Sequence, residues 1–250
     1  MIKAIIIDDE RNSRDIIALM LEKYCPQINI ADTASDCTDG IEKIKKHQPD
    51  LVFLDLEMPD GTGFDVLAGA LPEAPFEAIF VTAFEKKFLH VIRFSDVELI
   101  LKPIDKESLL EAVKLVTERI ASGGSKDRYQ VLLENFNNSK PDDWTLLISA
   151  TNGEAYTINT PAIEYLEAQG DNCLFCLNAG PPISAVQSFR YYADLFTSLR
   201  FYQINNSQMI QLSNIGRLDS ASGKVVLKSG TVLDITERRQ RDLVQKISHG

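Results

Sequence analysis

Cysteine, histidine and tryptophan are scarce in this chain: four, three and one among 250 residues. The cysteines, Cys25, Cys37, Cys173 and Cys176, are too few and too scattered for a secreted disulfide framework. Cys173 and Cys176 have C-x-x-C spacing, but no second pair or histidine cluster lies nearby to complete a tetrahedral zinc site, so they read as packing thiols in a strand. The isolated histidines suggest no catalytic triad. No apolar run approaches the roughly 18 residues needed to span a bilayer, and Met1 leads straight into the strand-like "IKAIII" without a secretory signal pattern. A cytoplasmic location is the expectation. Basic charge is also short, with 26 Lys and Arg against 36 Asp and Glu, a net −10. The deficit is uneven: −9 in residues 1–142 and −1 in residues 143–250. The front half therefore does not bind nucleic acid by bulk charge, and any such role rests on a local cluster in the second half.

What remains is the composition of a soluble globular protein, 44% hydrophobic and 25% charged. Through residue 121, short β-branched runs ("AIIID", "INIAD", "LVFLD", "AIFVT", "VELIL") alternate with helical patterns at about 12–24, 36–47, 64–70, 86–93 and 106–121. Such alternation predicts βαβ units and a doubly wound parallel sheet of five strands. "SGGSKDRYQ" and "NFNNSKPDDW" then break the pattern, with a short helix possible over "YQVLLENF", and a linker is expected at 122–142. From 143 to 250 the period shortens towards two. Nine short strands joined by Gly-containing turns, with one convincing helix at "SFRYYADLFTSL", predict a mostly-β domain.

In an open α/β sheet the ligand site lies at the carboxyl ends of the strands, where strand order reverses. Asp8 and Asp9 end the first strand, Asp55 the third, Thr82 the fourth and Lys102 the fifth. With strand order 2-1-3-4-5, three carboxylates converge on one spot, an arrangement that requires a cation. Hard oxygen ligands at an accessible edge suit Mg²⁺, with Asp8, Asp9, Asp55 and the backbone carbonyl of Glu57 as candidate ligands. Asp55 can act as a nucleophile that forms an acyl phosphate, with Lys102 neutralising charge and Thr82 donating a hydrogen bond. A cis bond before Pro103 would aim Lys102 into the pocket.

"IDDE", "LDLEMPDGTGFDVL", "TAF" and "LKPI" occur in that order, and residues 1–121 resemble a response-regulator receiver domain. The resemblance implies that Asp55 accepts phosphate from a partner sensor histidine kinase, with Asp8, Asp9 and Glu57 at the metal and Thr82 and Lys102 reading the phosphate. Receivers usually carry an aromatic residue three positions before the lysine, where this chain has Leu99.

In the second half, "TERRQRDL" concentrates Arg238, Arg239 and Arg241, and "QINNSQ" offers Asn205, Asn206 and Ser207 in a loop between strands. Arg and Asn are the residue types that read guanine and adenine edges. Residues from about 143 to 248, with "IEYLEAQGDNCLFCL", "SFRYYADLFTSLRFYQINNS", "MIQLSNI" and "VLDITERRQRDL", resemble a LytTR-type DNA-binding domain. Carried over by position, DNA-facing loops hold Asn172 and Cys173, then Asn205, Asn206 and Ser207, then Arg238 and Arg239. Family members typically place His-Arg-Ser or His-Asn-Ser where this chain has Asn205-Asn206-Ser207, so fewer phosphate contacts are implied. The resemblance implies a transcription regulator that pairs as a homodimer on phosphorylation and binds double-stranded promoter DNA at paired sites. Two other readings stand beside it. One is a receiver controlling a protein-interaction module that no longer binds DNA. The other is an aspartyl phosphohydrolase, disfavoured because the second acid is Glu57 and the nucleophile lies on the third strand.

Overall fold

The computed structural model describes residues 1–83, 86–123, 127–138 and 140–248, apart from the side chains of 86–88, 198 and 247–248. Part of the expected linker, residues 124–126 and 139, lies outside the described residues. The chain divides into two compact units, Met1–Phe136 and Asn137–Gly250.

The first unit is built from β1 (Ile2–Ile7), α1 (Arg11–Tyr24), β2 (Ile28–Ala34), α2 (Cys37–His47), β3 (Leu51–Leu54), α3 (Gly63–Ala70), β4 (Glu77–Thr82), α4 (Lys86–Phe94), β5 (Glu98–Leu101), α5 (Lys106–Ala121) and α6 (Asp127–Asn137). A two-residue ladder pairs Glu57–Met58 with Gly61–Thr62 between β3 and α3. The five strands are all parallel and lie in the order β2-β1-β3-β4-β5. Successive residues on a strand face opposite sides. Ala4, Ile6, Leu51, Phe53, Ile79 and Val81 accordingly pack with Ile17, Leu21, Leu109 and Val113 of α1 and α5. Ile7 points the other way, and its side chain meets the Cα of Gly40 so closely that a Cβ there would lie 2.8 Å from it. β1 and β3 are adjacent, and Asp55 N–H donates to Ile7 O at 2.9 Å, so the chain positions that follow these strands emerge side by side.

Within the expected linker, the short helix that was possible over "YQVLLENF" is present as α6. Its apolar face, Tyr129, Val131 and Leu132, is buried, so residues 127–136 continue the first unit rather than bridge away from it. Tyr129 Oη accepts from Ala78 N–H and donates to Glu77 Oε2 at 3.0 Å, which satisfies a backbone group beyond the end of β5 pairing.

The second unit contains β6 (Thr145–Ser149), β7 (Ala155–Asn159), β8 (Ile163–Gln169), β9 (Asn172–Leu177), β10 (Ile183–Ala185), α7 (Phe189–Leu195), β11 (Phe201–Gln203), β12 (Gln208–Gln211), β13 (Ile215–Asp219), β14 (Lys224–Leu227), β15 (Val232–Asp234) and α8 (Glu237–Ser248). They form an antiparallel hairpin β6-β7, a five-stranded sheet β10-β9-β8-β12-β11 and a three-stranded sheet β13-β14-β15. Two elements depart from the expectation. β13 replaces a loop, and the arginine-rich "TERRQRDL" is the start of a 12-residue helix, α8. Leu243 of α8 is fully buried against Tyr202, Ile204, Val225 and Leu233. The charge of the segment hid this apolar anchor.

Candidate functional site

The acidic site is assembled by strand ends. Asp8 and Asp55, just beyond β1 and β3, are buried, while Asp9 is exposed. Carboxylate oxygens of Asp8, Asp9 and Asp55 lie within 4.8 Å of one another. Lys102 Nζ reaches into this cluster from beyond β5, 2.7 Å from Asp55 Oδ2, 2.9 Å from Asp8 Oδ2 and 3.0 Å from Glu10 Oε2. The Lys102–Pro103 bond is cis. Thr82, at the end of β4, is buried, and its carbonyl accepts from Lys102 N–H at 2.8 Å. Glu57 is exposed, and its N–H donates to Asp55 Oδ1 at 3.3 Å.

The electrostatics are unbalanced. Burial raises the Asp55 pKa above the ordinary carboxylate value; Asp8 adds to the shift and Lys102 opposes it. Burial acts against the charge of Lys102, yet the carboxylates of Asp55, Asp8 and Glu10 outweigh it and hold the lysine above its usual range. Both shifts have the same sign, for Asp55 chiefly because it is buried and for Lys102 because several carboxylates surround its one ammonium. Oxygen donors with a surplus of negative charge at a partly open edge are the donor set that Mg²⁺ takes. Among the described residues this is the one group of three or more acidic, histidine or cysteine side chains close enough to hold a metal ion.

Several supporting residues carry no signal in the motif spacing. Ser13 Oγ donates to Asp8 Oδ2 at 2.5 Å, and both side chains are buried. Arg14 Nη1 donates to the carbonyls of Asp8 and Asp9. Asp60 accepts from Cys37 N–H at 2.8 Å, Thr38 N–H at 3.1 Å and Thr38 Oγ1 at 3.0 Å. The Cys37 amide, with Thr38 behind it, holds the Asp60 carboxyl down to about 2. This ties the loop after Asp55 to the first turn of α2, where a helix end favours negative charge.

The family model for the response regulator receiver domain matches residues 4–114. The first unit is a receiver domain. Over 114 residues the chain is 37% identical to an uncharacterized response regulatory protein of Vibrio cholerae, a match of 46% of this chain that spans about half, 48%, of that relative. Over 247 residues, 99% of each chain, it is 22% identical to the transcriptional regulatory protein BtsR of Escherichia coli. Among solved structures, the REC domain of AraT from Geobacillus stearothermophilus is 28% identical, with a TM-score of 0.44, covering 49% of this chain and 97% of that one. The receiver carries Leu99 on β5, partly buried and in register with Phe80 of β4.

In the second unit the three expected DNA-facing loops gather at one edge. Ala168 N–H, opposite Cys173 at the β8–β9 turn, donates to Ser207 O at 2.8 Å. Asn205 Nδ2 donates to Asp234 O at 2.8 Å, and Thr236 N–H donates to Ile204 O at 3.2 Å, which brings the start of α8 alongside. Individual residues differ in what they can do. Asn206, Ser207 and Arg238 are exposed, and Asn172 is partly buried. Asn205 is committed internally, since its Oδ1 accepts from Ser207 N–H at 2.9 Å and from Ser207 Oγ at 3.1 Å while its amide holds Asp234 and Gln208. Arg239 is partly buried and donates to Gln203 Oε1 at 3.2 Å.

Cys173 is a correction, because its side chain is fully buried and offers no surface to a ligand. Strand alternation puts Cys176, three positions on, on the opposite face, so the pair does not converge, and all four cysteines are free thiols. Burial pushes the Cys173 thiol up to about 12.

Proposed function

We propose that the protein is a phosphorylation-dependent transcription regulator whose receiver takes phosphate on Asp55 from a sensor histidine kinase and whose second unit, a LytTR-type domain, binds double-stranded promoter DNA as a homodimer. The observation that carries the reading is Lys102 Nζ held 2.7 Å from Asp55 Oδ2 within the Asp8–Asp9–Asp55 cluster. In this reading Asp8, Asp9, Asp55 and the carbonyl of Glu57 hold Mg²⁺, which supplies positive charge to the transferring phosphoryl group. A carboxylate oxygen of Asp55 attacks phosphorus as the bond to the kinase histidine nitrogen breaks, and that nitrogen leaves with its electron pair. Lys102 balances charge on the phosphoryl oxygens, and the Thr82 hydroxyl donates to one of them. The domain limits that go with this reading are 1–121 for the minimal receiver and 143–250 for the DNA-binding domain, in a cytoplasmic protein.

The gathered edge of exposed Asn206, Ser207 and Arg238 supports DNA as the ligand of the second unit. The full-length likeness to a protein named as a transcriptional regulator supports the same reading. A second reading, a protein-interaction module, draws on the net charge of only −1 in residues 143–250 and on the internal commitment of Asn205. Footprinting of the chain's own upstream region, with and without phosphorylation, separates the two. Protection of two adjacent sites that strengthens on phosphorylation is expected, and no protection of any fragment removes the DNA reading.

A further inference from the structure

The buried stripe of α1 runs Ser13, Ile17, Leu21. Ile17 and Leu21 share one core cluster with Ala4, Ile6 and Phe53 of the sheet. The first position, where the stripe meets the acid cluster, carries a hydroxyl instead of an apolar side chain, although Ser13 is only 6% exposed. Packing alone does not call for it. Alanine is the better helix former and brings no buried polar atom that must find a partner. The reason for the hydroxyl lies in what it touches.

Asp8 is held at each of its polar atoms. Its N–H donates to Ala34 O at 3.2 Å, and its carbonyl accepts from Arg14 Nη1. Oδ1 accepts from Glu10 N–H at 2.9 Å, while Oδ2 accepts from Ser13 Oγ at 2.5 Å and lies 2.9 Å from Lys102 Nζ. The end torsion of an aspartate is soft, so a carboxylate held at one oxygen swings. Here one oxygen is fixed by the chain turning into α1 and the other by α1 itself. The Ser13 bond has the short length of a hydroxyl donating to a carboxylate ion.

Lys102 does not offer Asp8 the same hold throughout. Its ammonium is shared with Asp55 and Glu10, and in the proposed phosphoryl transfer it serves the phosphoryl oxygens. Ser13 rides on α1, so its bond to Oδ2 does not depend on where Lys102 points. Mg²⁺ demands near-ideal octahedral geometry, and partners that orient a metal-holding carboxylate are typically worth about 10- to 100-fold in affinity.

We infer that Ser13 is a positioning residue of the metal centre: its hydroxyl holds the Asp8 carboxylate in the orientation that takes Mg²⁺, and so sets the Mg²⁺ concentration at which Asp55 accepts phosphoryl. The inference rests on Asp8 belonging to a Mg²⁺ site.

Titration of the full chain with Mg²⁺, followed by its amide resonances, gives the metal affinity of the wild type and of Ser13→Ala. Intact mass after exposure to acetyl phosphate gives the Mg²⁺ concentration for half-maximal phosphoryl uptake, and a thermal melt in chelator reports the fold. Ser13→Ala is expected to need about tenfold more Mg²⁺ by both measures. Ser13→Thr, which keeps the hydroxyl, is expected to restore the wild-type affinity. Ser13→Cys, close in shape but a weak donor, is expected to behave as alanine does and gives the same comparison should the alanine variant unfold. A Ser13→Ala chain that melts lower in chelator yet binds Mg²⁺ as the wild type does overturns the positioning role alone. A wild-type chain whose resonances do not respond to Mg²⁺ overturns the metal reading and this inference with it.

Discussion

The two units solve the problem of gathering functional groups in opposite ways. In the receiver, topology does the work: parallel neighbours β1, β3, β4 and β5 end at one edge, so Asp8, Asp55, Thr82 and Lys102 meet although 47 residues separate Asp55 from Lys102. In the second unit, antiparallel strands carry their loops to both ends, and the loops meet only through added hydrogen bonds such as Asn205 to Asp234. A buried, charge-imbalanced site results in the first case, and an exposed polar edge in the second. The first suits chemistry on a bound group, and the second suits a large partner.

The sharpest way to break this comparison is to damage each core in turn. Phe53 and Phe175 are both fully buried, one in each unit. Truncation to alanine is expected to cost about 3–5 kcal/mol in either place. Phe53→Ala should abolish phosphoryl uptake at a temperature where Phe175→Ala leaves it intact, as followed by intact mass beside a thermal melt. Loss of uptake in both variants would deny the units their independence.

A somewhat smaller effect is expected at the charge cluster. Lys102 is 12% exposed and faces Asp55 and Asp8 at 6% and 1%. Lys102→Ala strands those carboxylates and is expected to destabilise the receiver by about 3 kcal/mol in a chemical denaturation series without metal. Mg²⁺ should return part of that loss, because it supplies the missing positive charge.

Asp55→Asn should act in the other direction. The folded-state pKa of Asp55 is raised, so the folded chain binds the proton more tightly than the unfolded chain. Its ionisation then costs stability as pH rises through the raised pKa, and the cost is absent below the ordinary carboxylate range. In chelator, the asparagine variant is expected to melt above the wild type at neutral pH, with the difference vanishing in acid. A variant less stable than wild type at neutral pH would mean that the pairing with Lys102 outweighs burial.

The smallest effect belongs to the second unit. Replacing Arg238 and Arg239 with alanine is expected to weaken DNA binding with little change in stability. The slope of log affinity against log salt should fall by about 2 if both contact phosphate and by about 1 if Arg239 stays with Gln203. An unchanged slope points to a protein partner.

The same contrast explains what could be read from the chain. The parallel sheet and the five polar strand ends of the receiver follow from alternating strand and helix patterns, while the strand order entered as a condition that the structure meets. Helix α5 was legible to its ends, at about 106–121, and in the structure Asp105 caps it and Leu109, Ala112, Val113 and Val116 make its buried stripe. Ser13 was not, since a lone serine in a helix gives no hint that it bonds the aspartate five residues before it. Helix α8 was hidden because its burial rests on Leu243 while its other early residues are charged or polar. Cys173 was expected to face a ligand beside Asn172, but it lies within β9 with its side chain in the core, since one residue along a strand reverses the side-chain face. α6 was visible as a possible helix, but its partner surface, made by Glu77, Ala78 and Phe64, is distant in sequence.

The most direct test of the central claim is intact mass of the full chain exposed to acetyl phosphate, with Mg²⁺ or with chelator, beside Asp55→Asn, followed by peptide mapping. One phosphoryl group, formed only with Mg²⁺, located within residues 51–63 and absent from the asparagine variant, is the predicted result. An adduct that persists in Asp55→Asn, or that forms equally well in chelator, would contradict it.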